Sequence, residues 1–87
     1  MKLMFIIVRD MDGEAVIQML VGEGYRVTRV ASTGGFLRRG NVTLMSGVEG
    51  DKVQAVIDLL HKTCAPAQGD QHRATIFVVD MPYFEQI

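Results

Sequence analysis

The chain has 87 residues, 48% of them hydrophobic and 22% charged, which excludes a disordered tail and leaves room for one cored domain over residues 1–87. Nine Lys plus Arg against ten Asp plus Glu give a formal net charge of −1, so bulk charge does not equip the protein to coat duplex nucleic acid. The single cysteine, Cys64, excludes an internal disulfide and fits a reducing compartment. A domain of this size buries only about 60 to 65% of the surface of its unfolded chain, so oligomerisation is the expected supplement.

Residues 3–8 form a continuous apolar, β-rich run that reads as a central strand covered on both faces. The run stops at Arg9-Asp10 without a small-residue cleavage site, which argues against a signal peptide, and no apolar run reaches the roughly 18 residues of a membrane span. The expectation is a soluble cytoplasmic protein with no membrane insertion. Asp12-Gly13-Glu14 reads as a helix start with Asp10 and Asp12 as capping groups, and Ala15, Val16, Met19 and Leu20 share one face. Gly24 is the natural left-handed cap at its end.

Residues 25–32 predict a second strand with Tyr25, Val27, Arg29 and Ala31 on one face and Arg26, Thr28, Val30 and Ser32 on the other. Thr33-Gly34-Gly35 breaks it, and residues 41–48 resume as a third strand, together a hairpin with an oversized tip. Gly50 and Asp51 open a second helix in which Val53, Val56, Ile57 and Leu60 sit at i, i+3, i+4 and i+7. A polar loop at 64–73 leads to a last strand over 74–79. The order is β, α, β, β, α, β, so the fold class is α+β and ferredoxin-like: a four-stranded antiparallel sheet with both helices on one face. The other face would carry Arg26, Thr28, Asn41, Thr43, Met45 and Phe77, too mixed for a core and too apolar for bare solvent, which points to self-association.

Between Glu23 and Glu49 there is no acidic residue, while Arg26, Arg29, Arg38 and Arg39 supply four of the nine basic side chains. Within that window Gly34-Gly35 frees backbone N–H groups to face an anion, Ser32, Thr33 and Thr43 add hydroxyls, and Phe36-Leu37 offers an apolar wall for a planar group. The same residues also satisfy a plain hairpin with a glycine turn, exposed arginines and an anchoring Phe. No GxxxxGK[ST] or strand-linked GxGxxG is present.

The run from Thr28 to Thr43, with its Thr-Gly-Gly-Phe-Leu and Gly-Asn-x-Thr segments, together with Gly47-Val48-Glu49, resembles the signature of the PII-like cyclic di-AMP receptor family. The likeness extends from Met1-Lys2-Leu3 to Ala74-Thr75-Ile76-Phe77-Val78. It implies a homotrimer of PII-like subunits that binds cyclic di-AMP in the clefts between neighbours and signals through loop rearrangement to a downstream protein that the sequence does not identify. By matching position, Arg26, Thr28, Gly35, Phe36, Leu37, Asn41, Gly47, Phe77 and Gln86 would line the pocket. The family's loop before the last strand is usually longer than 64–73, and its common Asn ahead of the aromatic residue is Gly24 here. Two alternatives share the architecture: a PII-like sensor of ATP, ADP or AMP, and a structural or metal-associated trimer of the divalent-cation tolerance type.

Nothing in the chain assembles an acid-base pair or activated nucleophile, so no enzyme, no cofactor and no metal are expected. His61 and Cys64 lie three apart with His72 on the next loop, but no further ligand is fixed beside them. Asp10 and Asp12 are explained by the helix start, and the six Met residues by packing.

Overall fold

The computed structural model describes residues 1–30, 40–67, 69 and 72–87. Its elements are β1 (Lys2–Arg9), α1 (Asp10–Gly22), β2 (Thr28–Val30), β3 (Asn41–Val48), α2 (Val53–Thr63) and β4 (Ala74–Asp80). A strand apolar on both faces belongs where neighbours flank it. β1 accordingly lies inside a sheet of order β2-β3-β1-β4, antiparallel to both β3 and β4, with β2 antiparallel to β3. This is the ferredoxin-like arrangement that the element order predicts.

The register separates the two faces. Met4, Ile6 and Val8 lie opposite Ser46, Leu44 and Val42 on β3, and opposite Val78, Ile76 and Ala74 on β4. Both helices cover this side: Val16 and Leu20 of α1 and Val56 and Leu60 of α2 join Met4, Ile6, Val8, Leu44 and Val48 in one core. Each such side chain contributes about 1.5–3 kcal/mol by leaving water. α1 approaches β3 so closely that a Cβ on Gly13 would stand 2.9 Å from Val42 Cγ1, so a side chain there would force Val42 to shift. The face of α2 is the one its spacing predicts. That of α1 is shifted, because Asp12, Gly13, Val16 and Leu20 point inward while Ala15 is exposed.

Other boundaries also differ from expectation. α1 starts at Asp10 with Arg9 at its N-cap and no side-chain cap, so neither Asp10 nor Asp12 caps it. Instead the carbonyl of Gly40, a residue at φ +91°, accepts the Asp10 N–H at 2.8 Å and ties the base of the hairpin to the helix start. At the other end Tyr25 N–H reaches the Leu20 carbonyl at 2.9 Å and Gly24 N–H the Val21 carbonyl at 3.0 Å, with Gly24 at φ +90°. That is the glycine-terminated cap expected of this segment. The second strand is shorter than predicted at its start, beginning at Thr28, with Tyr25 and Val27 packing onto the core as coil. Gly50–Lys52 forms a 3₁₀ turn before α2 begins at Val53. The predicted hairpin tip and the remainder of the second strand lie outside the described residues.

A buried polar clasp closes the end of the fold where α1 begins. Arg9 Nε and Nη2 both donate to Asp12 Oδ2, at 2.9 and 2.6 Å, and both side chains are shielded from solvent. The same guanidinium donates to the carbonyls of Ala65 at 2.6 Å and Pro66 at 3.2 Å, while Asp12 Oδ1 accepts the Ala65 N–H at 3.0 Å. The start of the 64–73 loop is thereby anchored to α1, and the two buried charges are paired with each other.

Candidate functional site

The uncovered face of the sheet reads as rows across the strands. One row runs Thr28, Met45, Phe5, Phe77, and the next Val30, Thr43, Ile7, Thr75. Gly47, Leu3 and Val79 make a third, and Asn41 ends β3 opposite Arg9. Leu3, Phe5, Ile7 and Met45 are half-buried, and Phe77 and Val79 are 55% and 48% exposed. Aromatic and aliphatic groups thus share an open surface with Thr28 and Asn41. Arg26 belongs beside them: Tyr25 and Val27 turn into the core, so Arg26 and Thr28 between and after them are exposed, and the Arg26 carbonyl is pinned by the Ser46 hydroxyl at 2.6 Å.

The predicted ligand residues therefore divide. Arg26, Thr28, Asn41 and Gly47 lie at the β2–β3 side, whereas Phe77 lies on the far edge strand, in the same row as Thr28 but three inter-strand spacings away, about 14 Å. Gln86 is exposed in the segment after β4. Gly35, Phe36 and Leu37 lie outside the described residues, as do Arg38 and Arg39. Gly47 lies close under two flexible side chains, since an added methyl would stand 3.2 Å from the Met81 ε-methyl and 3.6 Å from the Met1 sulfur.

Arg29 pairs with Leu44 in the register and so lies on the helix-covered side, the face opposite Thr28 that strand parity predicts. There its guanidinium lies 3.7 Å from the Glu14 carboxylate. Of the window's described arginines only Arg26 is left for the open face.

Two polar features gain importance from the structure. Thr43 is only 5% exposed, and its hydroxyl is a buried side-chain oxygen without a hydrogen-bond partner among the described residues. Strand parity places it on the open face, but pairing of a hydroxyl is invisible to parity. Arg9 and Asp12 are the second case, since their i, i+3 spacing across a helix start resembles ordinary capping until the 64–73 loop is brought against them.

Away from this face, a cleft of about 310 Å³ lies between the end of α2 and the start of β4, with Ile57, Leu60 and Ile76 on its apolar side and His61 and Arg73 on its polar side. Arg73 donates to the carbonyls of His61 and Cys64 at 3.1 and 3.4 Å, and its Nη2 contacts His61 Nδ1 at 3.0 Å. A guanidinium only donates, so Nδ1 acts there as the acceptor. Burial, reinforced by the nearby Asp12 carboxylate, pushes the Cys64 thiol above its ordinary ionisation range, the opposite of what activates a nucleophile. Among the described residues no three His, Cys, Asp or Glu side chains converge on a metal site, and no helix is long and apolar enough to cross a membrane.

Comparison with known proteins adds two findings. The sequence profile of a family described as cyclic-di-AMP receptor matches residues 1–73, which takes in β1 through the 64–73 loop and stops short of Phe77 and Gln86. A solved structure, the crystal structure of a functionally unknown protein from Pediococcus pentosaceus ATCC 25745, superposes with a TM-score of 0.79 at 28% identity. The superposition covers 99% of this chain and 96% of that one.

Proposed function

We propose that this chain, which belongs to the cyclic-di-AMP receptor family, is a cytoplasmic signalling protein that binds cyclic di-AMP between neighbouring copies of itself in a homotrimer. It carries the signal by rearranging loops rather than by catalysing a reaction. The observation that supports this reading best is the open face. Its recognition groups sit at one side and its exposed aromatic, Phe77, at the other, about 14 Å apart. One copy does not bring them together; a neighbour's β4 edge laid beside the first copy's β2–β3 side does.

In that arrangement Arg26 supplies charge for a phosphodiester oxygen, and Thr28 and Asn41 supply hydrogen bonds to phosphate or to an adenine edge. Phe77 packs on a purine, and Gly47 lets the ligand approach the backbone. By the family resemblance Gly35, Phe36 and Leu37 also belong to the pocket, and Gln86 reaches it from the segment after β4. The 64–73 loop, anchored by Arg9 and Asp12, is the surface a downstream partner would read.

Titration calorimetry with cyclic di-AMP, run beside sedimentation of the free protein, tests this. Asn41→Ala is expected to weaken binding about tenfold, the value of one well-made hydrogen bond, with the trimer intact. Wild-type affinity in that variant rejects the site. A thermal-shift panel adding ATP, ADP, AMP and divalent metals separates the rivals, because a true ligand at 100 times its dissociation constant stabilises by about 2.7 kcal/mol. A shift with a mononucleotide alone, or with metal alone, replaces cyclic di-AMP by that ligand.

A further inference from the structure

β3 carries two buried hydroxyls, one on each face of the sheet. Ser46, on the helix-covered face, is 2% exposed and donates to the Arg26 carbonyl at 2.6 Å. Thr43, on the open face, is 5% exposed and has no partner among the described residues. An unpaired buried hydroxyl is destabilising, and an isosteric Val would fill the same space on a strand without that cost. Its cross-strand neighbours, Ile7 and Val30, offer only hydrocarbon.

The position of Thr43 gives the hydroxyl a use. Asn41 is two residues along the same strand and face, roughly 7 Å away. Thr28 is opposite Met45, hence on the diagonal from Thr43 at a similar distance. Thr43 is therefore between the two polar side chains assigned to the ligand.

We infer that the Thr43 hydroxyl is an additional recognition group for the cyclic dinucleotide, satisfied only when ligand is bound. The inference rests on the proposed function and adds a residue to that site. The half-buried side chains around Thr43 give way as the ligand docks, and the hydroxyl, which both donates and accepts, pairs with a polar atom of the ligand. The free protein is left holding an unpaired group that binding removes.

Thr43→Val and Thr43→Ser test this through two readouts that a merely structural hydroxyl would move together. The melting temperature of ligand-free Thr43→Val is expected to equal or exceed that of the wild type, while its cyclic di-AMP affinity in calorimetry falls about 3- to 10-fold. Thr43→Ser, which keeps the hydroxyl, is expected to bind within about twofold of wild type. Wild-type affinity in Thr43→Val overturns the inference and leaves the proposed function standing. A lower melting temperature or a weakened trimer in ligand-free Thr43→Val, with affinity unchanged, overturns it in favour of a partner within the free assembly. Absence of binding by the wild-type protein overturns the ligand reading itself, and this inference with it.

Discussion

The two faces of the sheet are cut from the same four strands, yet they have opposite fates. On one, Met4, Ile6, Leu44 and Val48 are 0 to 1% exposed beneath two helices, and the polar Ser46 among them is hydrogen-bonded. On the other, Leu3, Phe5 and Ile7 are half-buried, Phe77 is exposed, and the Thr43 hydroxyl has no partner among the described residues. A face finished within one chain satisfies its polar atoms as it buries its apolar ones. A face with apolar groups and a hydroxyl that has no partner among the described residues is unfinished as far as those residues go.

The largest expected effect lies at the end of the finished side. Asp12→Ala strips the Arg9 guanidinium of its carboxylate partner and frees the Ala65 N–H, and a buried charge left uncompensated costs about 3–5 kcal/mol. Urea denaturation reads this directly, and a loss below about 1 kcal/mol would show that water reaches the clasp.

Next comes a pair of adjacent isoleucines that point to opposite faces. Ile6→Ala empties core space and is expected to lower stability by about 2–5 kcal/mol at every protein concentration. Ile7→Ala alters the open face, so its destabilisation should grow on dilution if a second copy covers that face. Identical, concentration-independent losses for the two would erase the distinction between the faces as regards self-association.

The smallest effect concerns Cys64. Its ionisation is raised in the folded state, mainly by burial, so the folded chain holds the thiol proton more tightly than the unfolded chain does. The associated stability is fully present below the unfolded thiol's value of about 8.5 and declines as pH rises through it toward the folded value. The melting temperature should therefore drop above that pH in the wild type and less so in Cys64→Ala, while thiol reagents label the folded protein slowly. Rapid labelling at neutral pH would place the thiol outside the core.

Much of this was legible in the chain. The apolar period of α2, the βαββαβ order and the alternation of 41–48 are local patterns, and local patterns report which side of an element is buried. The Thr-Gly-Gly-Phe-Leu and Gly-Asn-x-Thr segments pointed to the receptor family that the profile over residues 1–73 matches. The start of α1 was harder to read, because an Asp near a helix N-terminus serves equally as a cap or as half of a buried ion pair. Within the acid-free window strand parity separated Arg29 from Thr28, but only the folded chain brings the Arg29 guanidinium to Glu14.

By itself the sequence determined the element order, the family and the faces on which Thr28, Asn41, Thr43 and Phe77 lie, since strand parity depends only on backbone geometry. Only the tertiary structure decided which polar atoms are satisfied. Asp12 meets the Ala65 N–H across 53 residues of chain, and Ser46 meets the Arg26 carbonyl across 20. Thr43 meets nothing among the described residues. Hydrogen bonding requires two groups within about 3 Å, and for groups so far apart in sequence that proximity exists only once the chain has folded.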